Sequence, residues 1–421
     1  MPKRTVDQSF VNNGDLPLPS GFGINLFGHF GTVFGLGVAA YSIAALLQRR
    51  GIPFTLYDVP HGGSLQPFDE RFASYRATAP EQLIHPINLY ATNSTQLPFL
   101  FKENPEFLVG DRMHVANIWW EASQFPRHLL EPFARFDAIL AFSDFIAEVS
   151  RNSLPLTPVL CGAYPLHLPS DIKGDRREFG VPDDAVLFVA SLDPNSDPAR
   201  KNPTALVIAF RAAFPPEDTG VRLVIRLNHA TSKFGRQVVR ELRQLMYGDG
   251  RIELLLQPME YEQVLSLYAC ADVYLSLHRA EGLGLGMLES MTLGKVVMAT
   301  GWSGNMSFMD YGNGVPLRYR LVPVAGTYEF YRSDMLGPDA RWAEPMLDDT
   351  VAWMRKLRHD PVLRRSLEAR AECSALAYRQ KAEAAGWLSE LAALWQARCH
   401  LPSIARKFSS SDEALRSDHH E

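Results

Sequence analysis

From Val186 to Ala299, short runs of β-branched and apolar residues alternate with stretches of helical period, and this alternation restricts the fold more than any other feature. The strands read as Val186–Ser191, Val221–Leu227, Ile252–Leu256, Val273–Leu277 and Val296–Ala299. The helices between them read as Pro203–Phe214, Phe234–Met246, Tyr261–Ala269 and about Gly286–Gly294. Parallel strands need a long crossover, usually a helix, whereas antiparallel ones need only a tight turn. The pattern therefore predicts a doubly wound α/β domain. The first half opens on the same unit: strand Gly23–Phe27, a glycine-rich loop, a helix from about Val38 to Arg50, and strand Pro53–Val59. Ala40, Ile43, Ala44 and Leu47 recur at helical spacing, and Gly51 supplies the stop. Shorter units follow at Gln82–Tyr90, Arg112–Trp120, Leu129–Phe136 and Ala138–Ser143.

A chain of 421 residues, 46% apolar, is too long for one ordinary core and suits two domains. Leu154–Leu168 is rich in proline and apolar residues, which puts the junction at about Leu168–Arg176. The expected division is a flexible leader over 1–20, an N-terminal acceptor-side domain over 21–170 and a C-terminal nucleotide-binding domain over 171–385. A helix over 386–402 would pack back towards the N-terminal domain, and a Ser- and charge-rich tail over 403–421 reads as disordered.

The formal charge of −5 argues against a basic nucleic-acid footprint and against recruitment to anionic lipid by charge. Four scattered cysteines, Cys161, Cys270, Cys373 and Cys399, offer neither a disulfide frame nor a zinc pattern. Gly21 to Leu47 contains no Asp, Glu, Lys or Arg and could pass for a membrane span. Gly28, Gly31, Gly35 and Gly37 interrupt it, each costing a helix roughly 1 kcal/mol. The first twenty residues lack a signal-peptide core, so a cytoplasmic protein is expected.

The chemistry concentrates in His278–Asn305, HRAEGLGLGMLESMTLGKVVMATGWSGN. This segment leaves the carboxyl end of a strand, the edge where open α/β sheets bind ligands. Gly282, Gly284 and Gly286 allow close backbone approach, and the helix that follows presents amides and a positive dipole end to an anion. Glu281 stands in the loop and Glu289 early on the helix, so two carboxylates bracket a phosphate cradle. Glu289 could accept both hydroxyls of a ribose, leaving Glu281 for a transferred group. Singly, such glutamates merely complement a helix dipole, and glycine turns are common. Their joint placement after a strand and before a helix favours the functional reading.

The run EGLGLGMLE with GKVVMATGWSGN resembles the retaining glycosyltransferases of GT-B fold often called family 4. SDPARKNPTALVIAFRAAF (Ser196–Phe214) is similar to that family's basic turn. IWWEASQFP (Ile118–Pro126), FDAILAFSDFIAEV (Phe136–Val149) and the first βα unit are similar to the N-terminal domain of members that build bacterial polysaccharides. The resemblance spans about Gly21 to Trp395. It implies two Rossmann-like domains facing across a cleft and transfer of a hexose from a nucleotide-diphosphate sugar. By the resemblance, Glu289 binds the donor ribose, and Glu281 contacts the transferred sugar and steadies charge at its anomeric carbon. Gly282, Leu283, Gly284 and Leu285 line the diphosphate, and Lys201 with Arg200 neutralises it. Many members carry an additional Arg earlier in the turn, where Asp193–Asp197 offers none, so Arg200 is expected to supply the second charge.

No D-x-D metal motif precedes a plausible loop, and Asp193 and Asp197 read as turn caps, so neither a metal nor any other cofactor is expected. Preorganised amides and cations would then carry the leaving group's charge. Gly35-x-Gly37-x-x-Ala40, with Asp58 about twenty residues on, also resembles a dinucleotide fingerprint. Seven residues separate its first glycine from the strand, which argues against that fingerprint; the resemblance implies instead that the loop contacts donor phosphate or acceptor across the cleft. A nucleotide-sugar epimerase, an NAD(P)-dependent enzyme and a non-catalytic nucleotide-sugar-binding protein stay open as alternatives. His29, Trp120 and Glu121 are acceptor-side candidates, since an aromatic beside a carboxylate suits a sugar, although aromatic pairs at strand ends usually belong to the core. His278 reads as structural. The acceptor would be a glycan, a glycolipid or a protein; a lipid-linked one would bring the protein to the inner membrane surface. The resemblance favours a mannosyl donor, with UDP-glucose open.

Overall fold

The computed structural model describes residues 18–31, 35–59, 68–92, 94–108, 111–327 and 331–399. The expected disordered tail over 403–421, and residues 1–17 of the expected leader, lie outside the described residues. Two parallel sheets dominate. The N-terminal one contains β1 (Ile24–Gly28), β2 (Phe54–Asp58), β3 (Arg76–Ala77), β4 (Ile87–Ala91), β5 (Met113–Asn117), β6 (Ala138–Ala141) and β7 (Val159–Cys161), in the order β3-β2-β1-β4-β5-β6-β7. The C-terminal one contains β8 (Val186–Leu192), β9 (Val221–Leu227), β10 (Ile252–Leu255), β11 (Val273–Ser276), β12 (Val296–Thr300) and β13 (Val315–Leu317), in the order β10-β9-β8-β11-β12-β13. Strands β1, β4, β5, β6 and β12 are buried at every position, because helices cover both faces of a parallel sheet.

The expected elements recur with shifted ends. The first helix begins at Gly35 rather than Val38, and the helix read from Gly286 is Leu285–Thr292, with Gly294 just beyond it at φ +69°. The segment Gly21–Leu47 divides into strand, loop and helix, and no described helix is long and apolar enough to cross a membrane. The helical stretch expected over Leu347–Trp395 breaks into Leu347–His359, Pro361–Ala384 and Gly386–Cys399. The first break follows from Pro361, with the Asp360 carboxylate capping the Leu363 amide at 2.8 Å; the second is Ala385 at φ +50°. An antiparallel arm, β14 (Tyr319–Pro323) with β15 (Arg341–Pro345), was not anticipated from the sequence.

The last two helices cross back to the N-terminal domain. The Tyr164 amide donates to the Tyr378 hydroxyl at 2.8 Å, Phe22 meets Trp395 edge-on, and Arg398 pairs with Asp137. Trp387, 2% exposed, lies so close to Gly162 that a Cβ there would come within 2.7 Å of its ring. Trp387→Ala is expected to cost about 3–5 kcal/mol, as other buried aromatic truncations do. Urea unfolding checks this, and an unchanged midpoint would contradict the strap.

At the other end the domains meet along their carboxyl edges. Ser143 Oγ donates to the Gly282 carbonyl at 2.6 Å, and the Asp144 amide donates to Ser307 Oγ at 2.9 Å.

Candidate active site

In the C-terminal sheet the chain runs outward in both directions from the neighbouring pair β8 and β11. This is the topological switch point, where open α/β sheets hold ligands beyond the strands' carboxyl ends. Both chemistry-bearing segments leave this point: the turn Asp193–Lys201 follows β8, and the loop Leu277–Gly284 follows β11.

The turn is built by its acids. Asp193 caps the Asn195 amide at 2.9 Å and accepts from His229 Nδ1 at 2.7 Å. Asp197, fully buried at φ +71°, caps the amides of Ala199 and Arg200 and also accepts from the Thr327 amide at 2.7 Å. Asp197 thus holds the short helix Pro198–Lys201, and Asp193 holds the single turn Pro194–Ser196 before it.

That helix delivers Lys201 and Arg200 to Glu281. Lys201 Nζ lies 2.5 Å from Glu281 Oε1, and Arg200 Nη1 lies 3.3 Å from Oε2. The Glu281 backbone is clamped by the turn after β12: its amide donates to Ser303 Oγ at 2.8 Å, and the Gly304 amide donates to its carbonyl at 2.9 Å. A Cβ at Gly304 would run into the Gly282 carbonyl, so only glycine fits there. Burial alone would raise the Glu281 carboxyl, but Lys201 and Arg200 outweigh it and hold it at about 2. Burial, helped by Arg200, lowers Lys201, while Glu281 opposes that shift.

Arg200 itself departs from its expected role. It is 2% exposed, and Nε donates to the Ser196 carbonyl while Nη1 donates to the Ala280 carbonyl. Nη2 lies 3.6 Å from Glu121 of the N-terminal domain. Its donors face protein acceptors, so it bridges the domains rather than offering a free cation.

Gly284, at φ +92°, turns the chain into the helix Leu285–Thr292, a conformation natural to glycine. Gly282 and Leu283 are buried, with the Trp120 carbonyl 3.3 Å from where a Cβ on Gly282 would sit, whereas Gly284, Leu285 and Gly286 are half-buried. Glu289 occupies the fifth position of that helix, 5% exposed, and accepts from the Tyr261 hydroxyl on Oε1 at 2.8 Å. Burial raises its carboxyl to about 7, against the lowering effects of that bond and of Arg226. His278 is fully buried with Nδ1 2.9 Å from Ser276 Oγ, and burial pulls it down to about 4, so it is a neutral structural residue. Arg279 pairs with Glu344 at 2.5 Å and donates to the Ala199 carbonyl, tying loop, turn and arm together.

The N-terminal candidates divide. His29 is fully buried with Nδ1 2.9 Å from the Val59 carbonyl. Trp120 is 1% exposed, its N–H donates to the Gln124 carbonyl, and its ring stacks on Tyr331 at 5.5 Å, so protein covers the face that a sugar would need. Glu121 accepts from the Tyr331 hydroxyl and faces Arg200, so Glu121 and Glu281 share one guanidinium across the domain boundary. Gly35 opens its helix with no described atom within 4 Å of where a Cβ would sit, and Gly37 is buried in the first turn. Asp58 accepts from the amides of Phe30 and Gly31 at 2.9 and 3.0 Å, so it closes the loop instead of standing ready for a ribose.

Two residues at this site escaped the sequence reading. Tyr331 belongs to the unanticipated arm, and nothing in its local pattern marks it. Arg226 did carry a signal: a charge at the carboxyl, ligand-binding end of VRLVIRL, a strand inside the sheet whose remaining residues apart from Arg222 are apolar. A separate groove of about 620 Å³, lined by Lys173, Arg176, Asp272 and Lys295, opens at the amino edge of the same sheet. Arg176 there is engaged by Asp272 and the Cys270 and Ala185 carbonyls, so we assign the groove no part in this site.

Two parallel-sheet α/β domains joined at their carboxyl edges form the GT-B architecture of glycosyltransferases. Neither a protein-family model nor a curated protein matches the sequence. Solved structures do match the fold. A sucrose-phosphate synthase from Thermosynechococcus elongatus has 12% identity and a TM-score of 0.63 over 89% of this chain and 100% of its own. A glycosyltransferase from Rickettsia africae has 11% identity and a TM-score of 0.61 over 91% and 100%. Anabaena HepE, solved in complex with UDP and glucose, has 14% identity and a TM-score of 0.57 over 89% and 100%.

Proposed function

We propose that this protein is a retaining, metal-independent glycosyltransferase that moves a hexose, with mannose favoured, from a nucleotide-diphosphate sugar to a glycan, glycolipid or protein acceptor. The observation that carries the reading is the placement of Glu281, Lys201, the Gly284–Gly286 helix start and Glu289 together at the switch point of a GT-B C-terminal sheet. In this reading the diphosphate lies on the amides at the start of Leu285–Thr292, where the helix dipole favours an anion. Lys201 shares its ammonium between Glu281 and the leaving phosphate, and Glu289 accepts from the ribose. Glu281, ionised throughout the physiological range, faces the positive charge that grows at the anomeric carbon.

Retention is supported by the state of Glu121. Its oxygens face Arg200 and the Tyr331 hydroxyl, and a same-face route in which the leaving phosphate takes the acceptor's proton needs no carboxylate held out beside the acceptor. The bound UDP of the HepE structure belongs to that protein, and it makes UDP a first probe beside GDP. Thermal unfolding with UDP, GDP, UDP-glucose and GDP-mannose tests the reading. A ligand present at one hundred times its Kd adds about 2.7 kcal/mol to the folded state, so a cognate nucleotide raises the midpoint measurably. The same nucleotide sugar should be consumed when acceptor is supplied. If no nucleoside diphosphate moves the midpoint, the proposal fails.

A further inference from the structure

Strand β9, VRLVIRL, lies inside the C-terminal sheet between β8 and β10. Val221, Leu223, Ile225 and Leu227 face one core, and Val224 faces the other with the helices Tyr261–Cys270 and Leu285–Thr292. Strand alternation places Arg222 and Arg226 on the Val224 face, one at each end. Arg222 is accounted for at the amino end, where it donates to the Thr219 carbonyl at 2.7 Å. Arg226 stands at the carboxyl end, the ligand-binding edge, opposite Ser191 of β8.

Few protein acceptors satisfy it there. Nη1 donates to the neutral Ser191 hydroxyl at 3.2 Å, and the buried Nε has no hydrogen-bond partner among the described residues. No described carboxylate lies within 4.0 Å of its guanidinium, in contrast to Arg200 and Arg279, each paired with glutamates. Its charge nonetheless eases the ionisation of Glu289. A half-buried guanidinium with unused donors is costly to keep unless something binds it.

We propose that Arg226 binds the diphosphate of the donor nucleotide, supplying from β9 the second cation that the turn Asp193–Asp197 lacks and that Arg200, consumed between the domains, does not provide. The inference rests on the nucleotide-sugar reading of the site. Lys201 and Arg226 then approach the pyrophosphate from the turn after β8 and from the end of β9. A planar guanidinium can take two phosphate oxygens at once, which an ammonium cannot.

Calorimetry with UDP and GDP on the full chain tests this, beside competition by free uridine and guanosine. Arg226→Gln is expected to weaken whichever diphosphate binds by about ten- to a hundredfold, while Arg226→Lys, which keeps the charge but not the paired donors, recovers only part of the loss. Measured well above pH 7, where Glu289 is ionised with or without the arginine, the nucleoside without phosphate should compete equally well against wild type and Arg226→Gln. Wild-type affinity for the diphosphate in Arg226→Gln overturns the assignment and leaves the donor reading standing. An equal loss for nucleoside and diphosphate also overturns it, because the arginine then only shapes the sheet edge. If wild type binds neither UDP nor GDP, the donor reading falls and this assignment with it.

Discussion

Glu281→Gln is expected to lower turnover by about 10²–10³ while the nucleoside diphosphate still binds, the range seen when one transition-state electrostatic partner is removed. The change keeps the side chain's shape and removes only the charge. That charge is present at every working pH, because Lys201 and Arg200 hold the carboxyl at about 2 against the effect of burial. The variant also frees Lys201 from its 2.5 Å pair, so affinity for the bare diphosphate should hold or improve. Leaving two buried cations short of a partner costs stability, about 3–5 kcal/mol for a broken buried pair, so the melting point should fall as well. Single-turnover rates and calorimetry on the same preparation separate the effects. A loss of diphosphate affinity matching the loss of rate would show that Glu281 is a binding residue and not a charge placed for the reaction.

Glu289→Gln should give the opposite signature: weaker nucleotide binding and a more stable unliganded protein at pH 8. The Glu289 carboxyl titrates at about 7 in the folded protein and near 4.5 when exposed, with burial the leading cause. Its folded pKa is the higher, so the folded state holds its proton longer and stability falls as pH rises from 4.5 through 7. Above pH 7 the ionised group costs on the order of 3 kcal/mol, a shift of this size converted at 1.36 kcal/mol per unit. Glutamine removes that cost but accepts less strongly from ribose hydroxyls. Nucleotide affinity of the wild type should also fall as pH drops below 7, where Glu289 takes up its proton and one acceptor oxygen is lost. Calorimetry between about pH 5.5 and 8.5 with melting curves checks both halves. A flat pH profile, or a destabilised Glu289→Gln protein, would contradict this account of the residue.

The parallel sheets and the acidic pair were legible because period and spacing are local. Alternation gave β8 to β12 to within one or two residues at each end, and the glycines around Glu281 announced a loop before a helix. What pairs with what across the chain was not legible. Arg200 looked like a free cation beside Lys201, yet its neighbours in space, Glu121 and the Ala280 carbonyl, are remote in sequence. The sequence left Trp120 open between a sugar platform and the core, and it is Tyr331, 211 positions later, that covers its face. The arm that carries Tyr331 alternates charged and apolar residues in a short stretch, RYRLVP, too brief and too exposed to separate from a loop by pattern. Asp58 shows the reverse: a position that fits a dinucleotide fingerprint by count is spent on two backbone amides of its own loop.

The most direct test of the central claim is the crystal structure of the complex with whichever of UDP or GDP raises the melting point. The account predicts the pyrophosphate on the amides at the start of Leu285–Thr292, within reach of Lys201, with a ribose hydroxyl on Glu289. A nucleotide seated instead at Gly35–Gly37 beside Asp58, with the Glu281 loop empty, would contradict it.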